Sequence, residues 1–360
     1  MEIGILTWHK ALNHGAVLQA YATQNYLKNN GNDALVLDYD RTVSDQRSFW
    51  TINIPRIKKV FNGELKDRKN IHQMDVEKRN KFDAFIHKYL ECGQNFSEYS
   101  LKNVIIGSDM VFSLIQGYND YMFGYGIESD NIFSYAASAG GTSIALAEKM
   151  NVKEKITAGL EKFTAVGYRD QDTQKLIEEL GVKRPLCETI DPVLLYGFEN
   201  EKKNWNSHGW KDKPSYILIY AYHGFMNGKN EVAAIQKYAK ENHLKIISCG
   251  YYHSWCDENV NADPAEFLEM MVNANVVVTD TFHGTVFSII CQKKFVSIVR
   301  DNGFKLRYLL KKAGLINRVA QSNADIYSLL NIDVNFEECN QWLHAQRITS
   351  GQFLIGNIIK

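Results

Sequence analysis

The chain has 360 residues, 45% hydrophobic and 23% charged, with 41 Lys+Arg against 41 Asp+Glu. That length accommodates two domains of ordinary size and the composition excludes disorder; the absence of net charge argues against nucleic acid as a partner, so any basic site must be local. The amino terminus runs straight into a strand without a charged, long apolar leader. No segment approaches the roughly 20 apolar residues of a spanning helix, so a cytoplasmic protein is expected. The cysteines (Cys92, Cys187, Cys249, Cys256, Cys291 and Cys339) are scattered without a CxxC pair, as reduced thiols are. Cys249, His253 and Cys256 have no evident fourth ligand, and no metal is expected.

Residues 2–7 read as a strand and 15–30 as a helix with Val17, Ala20 and Tyr21 on one face, ended by Gly31. Residues 34–39 read as the next strand, giving a βαβ unit with parallel strands. Asn13-His14-Gly15 then lies at a strand's carboxyl end, either as a ligand loop or as an ordinary N-cap. Residues 55–81 are rich in Lys and Arg. They form either the solvated face of one or two helices or a surface for an anionic membrane or lipid-linked diphosphate. Strands at 103–106, 131–137 and 165–168 end in Gly107-Ser108-Asp109, Ser138-Ala139-Gly140 and Arg169-Asp170. In a parallel sheet those ends share one edge, so Asn13, His14, Asp109, Ser138 and Arg169 are candidates for one rim. Capping accounts for Asp170 and for Ser138. A cation gains nothing at the positive end of the helix that follows, so Arg169 implies an anionic ligand, or else a salt bridge to Asp170 or Asp172.

Residues 184–214 lose periodicity, contain Asp191-Pro192 and read as a linker. Alternation then resumes with strand 215–221, helix 229–243, strand 245–249 and helix 264–273. The stretch Asn275 to Phe287, NVVVTDTFHGTVF, follows. Val276 to Val278 suit a strand buried on both faces; Thr279, Asp280, Thr281 and His283 crowd at its end, and Gly284 opens a helix. Such a crevice binds ligands, and the free N–H groups of the new helix favour an anion. His283 is therefore an imidazole beside a phosphate or carboxylate pocket; the plainer alternative is a structural histidine in a helix capped by Asp280 and Thr281. Strand 295–299 delivers Arg300 to the same rim, and helices at 305–313, 335–347 and 351–359 close the chain. The expected fold class is α/β, with two doubly wound Rossmann-like domains facing a cleft.

Several pieces carry a resemblance in order along the chain: ILTWHKALNHGAVLQAYA (Ile5 to Ala22), IIGSD (Ile105 to Asp109), SYAAS (Ser134 to Ser138), VVTDTFHGTVFSI (Val277 to Ile289), and a tail with Arg347, Ser350 and Phe353-Leu354. Together they resemble the polysaccharide pyruvyl transferase family over nearly the whole chain, the fourth being the most specific. The resemblance implies a GT-B-like fold. Residues 1–190 would form an acceptor-side domain with a basic helical insertion at 55–90, 191–345 a donor-side domain, and 346–360 a helix crossing back to the first. It also implies that phosphoenolpyruvate, a substrate and not a cofactor, donates a pyruvyl group as a ketal to two hydroxyls of a sugar or lipid-linked oligosaccharide for exopolysaccharide. The setting would be cytoplasmic, with peripheral membrane contact through 55–81.

That chemistry needs a group to protonate the enol carbon and then accept a hydroxyl proton, a role assigned to His283. Arg169, and Arg300 as a second choice, would hold the donor's phosphate or carboxylate. Asp109 would take a hydroxyl proton or hold the acceptor, with Asn13 and His14 on sugar hydroxyls and Ser138, Thr281 and Gly284 completing the substrate site. Several family members have an arginine where this chain has Thr281, and many have a serine at Gly167. The alternatives are a nucleotide-sugar glycosyltransferase, whose diphosphate would sit at the helix after Val278, and a non-catalytic glycan-binding homologue.

Overall fold

The computed structural model describes residues 3–39, 65–93, 101–300 and 303–359. Its first sheet contains β1 (Ile3–Leu6), β2 (Ala34–Leu37), β3 (Cys92–Gly93), β4 (Leu101–Ile106), β5 (Ser129–Ala137), β6 (Ala165–Tyr168) and β7 (Leu186–Glu188), all parallel, in the order β3-β2-β1-β4-β5-β6-β7. The second contains β8 (Tyr216–Tyr220), β9 (Lys245–Cys249), β10 (Glu258–Val260), β11 (Val276–Thr279), β12 (Lys294–Ile298) and β13 (Val319–Ala320), in the order β10-β9-β8-β11-β12-β13. This is the expected pair of doubly wound α/β domains in a GT-B-like arrangement. The strand order reverses between β1 and β4 in one sheet and between β8 and β11 in the other. At such a reversal the connecting segments diverge to opposite faces and leave a crevice.

Both faces of each sheet are buried. Ile3 and Ile5 belong to a core that continues through Val17 and Leu18 into Phe267, Val277 and Phe287 of the second domain, while Leu6 faces a separate core with Val104 and Ile106. Val276 and Val278 point the other way, into a third core with Ile217 and Ile219. The unbroken β-branched run therefore fits a doubly covered strand, each such side chain contributing about 1.5–3 kcal/mol on burial. One apolar cluster thus spans both domains and sets the cleft between them.

Three features differ from the sequence reading. The two- and three-residue edge strands β3, β7, β10 and β13 carry too little periodic signal to be expected. The linker holds a short helix, Pro192–Tyr196, started by Asp191, whose side chain accepts from the Val193 N–H at 2.9 Å. The chain ends in one helix, Glu337–Gly356, instead of two. The helix runs unbroken through 348–350, where two helices were expected to meet, and docks there: Ser350 Oγ accepts from the Ile190 N–H at 3.0 Å, and the adjoining Arg347 Nε donates to the Leu194 carbonyl at 2.7 Å. Beyond the helix, Asn131 Nδ2 donates to the Asn357 carbonyl at 2.6 Å, and the Ile359 N–H donates to Asn103 Oδ1 at 2.9 Å. Gly167 belongs to the same contact, because a Cβ there would meet Ser134 O at 2.6 Å and Phe353 at 2.7 Å.

The basic stretch lies partly outside the described residues, which resume at 65 with the helix Leu65–Tyr89. The described part of the run is largely the expected solvated face, with Arg79 and Lys81 exposed, but the structure corrects that reading at Lys78. Lys78 is buried, donates to the Gly250 carbonyl at 3.0 Å and lies 4.1 Å from the Tyr251 ring centre; burial lowers its ammonium to about 8. Lys81 donates to the Asn261 carbonyl at 2.6 Å. These charges tie the helix to the second domain. Among the described residues no helix is long and apolar enough to cross a membrane, and no group of His, Cys, Asp or Glu could hold a metal ion.

Candidate active site

Where the two domains meet, His283 arrives on the first turn of the helix Phe282–Ile290, directly after β11. Thr281 caps that helix, its Oγ1 accepting from the Gly284 N–H at 2.9 Å. A Cβ on Gly284 would collide with Thr279 Oγ1 and meet Thr281 Oγ1 at 2.7 Å, so only glycine lets the helix start this close to the strand. The same holds across the cleft, where a Cβ on Gly15 would collide with the His283 imidazole. Gly15 is thus the surface against which the first domain receives the ring. Gly15→Ala is expected to force His283 aside and lower kcat by an order of magnitude or more with little change in melting temperature, since the error is one of position. An unchanged kcat would show that the ring's place is not set there.

The charged groups around His283 come from four segments. Arg169, at the end of β6, donates from Nη1 to Asp191 Oδ2 at 2.6 Å and from Nη2 to Asp109 Oδ1 at 3.2 Å. His283 Nε2 stands 3.6 Å from the same Asp191 Oδ2. Arg169 Cζ lies 4.3 Å from the Phe282 ring centre, and Lys305 Nζ lies 5.6 Å from it. Burial alone would raise the Asp191 carboxyl, but His283, Arg169 and the Val193 N–H together hold it down at about 2. Burial likewise opposes ionisation of Asp109, and Arg169, His283 and Lys305 outweigh it, leaving that carboxyl below its ordinary value. Lys305 is lowered, by burial first and by Arg169 second. Two buried nitrogens in this cluster have no hydrogen-bond partner, Arg169 Nε and His283 Nε2. Asp109 adopts φ +71°, a left-handed conformation unusual outside glycine, held by the Ser138 N–H on its carbonyl at 2.9 Å.

The other residues read from the sequence are placed differently. His14 does not line a cleft: it is fully buried, with Nε2 3.0 Å from the Ala262 carbonyl, Nδ1 3.3 Å from Tyr220 Oη, and its ring stacked on Phe267. Burial and then Lys78 press its pKa well down, so it is a neutral packing residue between the domains. Asn13 is the N-cap, Oδ1 accepting from the Ala16 N–H at 3.1 Å, and its Nδ2 reaches across to Tyr222 Oη at 3.2 Å. Ser138 is buried and donates to Asp170 Oδ2 at 2.6 Å; Asp170 in turn caps the helix Gln171–Glu179 and does not pair with Arg169. Arg300 is engaged with Glu231 at 2.7 Å and Asp280 at 3.5 Å, and no contact joins it to His283.

Asp191 and Lys305 were not singled out from the sequence. Asp191-Pro192 is an N-cap followed by proline at the first helical position, a signal that does mark a helix start but was read as a linker because the helix is five residues long. Lys305 opens the helix Phe304–Lys312, and only the packing of that helix against the first domain brings it to Arg169.

The whole fold has counterparts among solved structures. The UDP-GlcNAc 2-epimerase from Neisseria meningitidis bound to UDP-GlcNAc superposes with a TM-score of 0.52 at 10% identity, over 99% of each chain. The corresponding epimerase from Methanocaldococcus jannaschii gives 0.51 at 11% identity, over 97% of this chain and 99% of its own. Arabidopsis thaliana UGT89C1 complexed with UDP-L-rhamnose gives 0.50 at 9% identity, over 99% of this chain and 98% of its own. At these identities the likeness is one of fold alone, a GT-B-like pair of Rossmann domains with a C-terminal helix. No curated protein matches the sequence. Residues 13–302, which contain His283, Arg169, Asp109 and Asp191, match the family model described as polysaccharide pyruvyl transferase, and the chain belongs to that family.

Proposed function

We propose that the protein transfers the pyruvyl group of phosphoenolpyruvate to two hydroxyls of a sugar, forming a ketal. The observation that carries the reading is Arg169 Nε, buried without a hydrogen-bond partner, and His283 Nε2, whose nearest acceptor Asp191 Oδ2 stands at 3.6 Å, beside Lys305. A small anionic ligand would accept from both, and Lys305 adds a positive charge to an Arg169 already paired with Asp109 and Asp191. In the balanced reaction a proton adds to the methylene carbon of the enol phosphate, leaving a cationic centre at the neighbouring carbon. One acceptor hydroxyl attacks there and the second displaces phosphate. Of the two hydroxyl protons, one replaces that given to carbon and the other leaves with phosphate. His283 is the group to give and take these protons. Asp109 is placed to accept one of them or to orient a hydroxyl, and Asp191 holds the ring. Thr281 caps its helix where relatives have an arginine, and Lys305 offers the alternative cation.

The second reading is glycosyl transfer from a nucleotide sugar, favoured by the likeness to folds bound to UDP-GlcNAc and UDP-L-rhamnose. One assay separates them. Incubated with a panel of glycosides and either phosphoenolpyruvate or nucleotide sugars, the protein is expected to release inorganic phosphate and yield a pyruvylated glycoside by mass spectrometry. Release of a nucleoside diphosphate with a glycosylated product instead would replace the first reading by the second.

A further inference from the structure

The crevice of the second domain lies outside the cluster just described. Adjacent strands β8, β11 and β12 deliver Tyr222, Asp280 and Arg300 just beyond their carboxyl ends, and Tyr222 and Asp280 flank the point where the strand order reverses. The Asp280 side chain is 1% exposed, and neither of its oxygens makes a hydrogen bond of ordinary geometry; Oδ2 faces Arg300 Nε at 3.5 Å. Burial raises the Asp280 carboxyl to about 6 against the pull of Arg300. A buried carboxylate whose nearest donor is a guanidinium at 3.5 Å is under-satisfied, and such a site suits a ligand that supplies donors.

The local charge says which ligand. Among the described residues Arg300 is the cation that pairs with Asp280, at 3.5 Å, and it also faces Glu231, at 2.7 Å. One positive against two negative charges disfavours a phosphate. Carboxylate oxygens are acceptors only, so they suit O–H donors. Tyr222 is 39% exposed, and Asn13 of the first domain donates to its Oη at 3.2 Å from the opposite sheet's own reversal point.

We propose that Asp280, with Arg300 and Tyr222, forms a subsite for hydroxyls of a sugar acceptor other than the two that react, separate from the donor site at Arg169 and Lys305. The inference rests on the acceptor half of the reading above. It removes Arg300 from the donor and places the unreacting part of the acceptor in the crevice of the second domain.

The test uses the full chain with methyl β-D-galactopyranoside and methyl α-D-mannopyranoside as probes, followed by saturation-transfer NMR, and inorganic phosphate followed by calorimetry. Asp280→Asn is expected to weaken glycoside binding about tenfold or more, the scale of a hydrogen bond to a charged group, with phosphate affinity unchanged. Tyr222→Phe, at an exposed position where folding is not at risk, should weaken it by a smaller factor. The subsite is overturned if the wild type binds neither glycoside, if both variants bind as the wild type does, or if phosphate affinity falls in parallel. Ketal formation with an unchanged acceptor KM in Asp280→Asn would remove the subsite and leave the proposed reaction standing. Glycoside binding lost with Asp280 in a protein that yields no ketal would keep the subsite and remove the reaction.

Discussion

His283→Ala is expected to lower kcat for pyruvyl transfer by about 10²–10⁴-fold, the usual contribution of a positioned acid/base. The neighbouring carboxyls, Asp109 and Asp191, are held ionised by the cations around them and have no proton to give. Arg169 and Lys305 remain in the variant, so phosphate and phosphoenolpyruvate should still bind within a few-fold of wild-type affinity. That split between kcat and donor affinity distinguishes proton transfer from a role in holding the anion. A variant that turns over normally would remove His283 from the chemistry, and one that merely loses donor affinity would make it a binding residue.

Asp191→Ala should cost about 3–5 kcal/mol of stability, because it leaves the Arg169 guanidinium buried with only Asp109 as its counter-charge. The same substitution removes the N-cap of the helix Pro192–Tyr196, which adds about 1 kcal/mol. It should also slow turnover, since the oxygen that pairs with Arg169 is the one facing His283. Urea unfolding of the two proteins at neutral pH measures the difference, and a shift below about 1 kcal/mol would mean the cluster relaxes or takes in water. The acid limb gives a second measure. A carboxyl at about 2 in the folded chain and near 4 when unfolded contributes stability that is fully present above about pH 4 and lost as pH falls towards 2. In Asp191→Asn that part of the acid dependence should disappear, so the gap between variant and wild type narrows between pH 5 and pH 2.5. A gap that stays constant would show that the carboxylate carries no such linkage.

Closure of the cluster depends on both domains. Asp109 and Arg169 follow strands of the first sheet, Asp191 lies in the connection between the sheets, and His283, Phe282 and Lys305 arrive from the second. Tyr308 and Lys312, on the helix with Lys305, reach Glu188 of β7 at 2.7 and 3.1 Å. The helix Glu337–Gly356 fastens the second half of the chain back onto the first through Ser350 and Arg347. The geometry around His283 is thus supported by contacts well away from it.

By itself the sequence determined what is local or periodic: the βαβ alternation, the doubly buried run before His283, the glycine that opens its helix, and the delivery of Asp109, Arg169 and Arg300 to strand ends. Hydrophobic period and capping chemistry act over a few residues, and a parallel sheet gathers its carboxyl ends on one edge. Tertiary structure alone decided which of those rim residues meet. His14 lies one residue from Asn13 yet turns into the interdomain core, because the helix start beneath it packs against Phe267 and Phe82. Arg300 is claimed by Glu231, from a helix about seventy residues earlier, and Arg169 by Asp191, in a stretch without periodicity. Ion pairing is settled by proximity across long loops, and nothing in a residue's own neighbourhood records which partner will be nearest once the chain is packed.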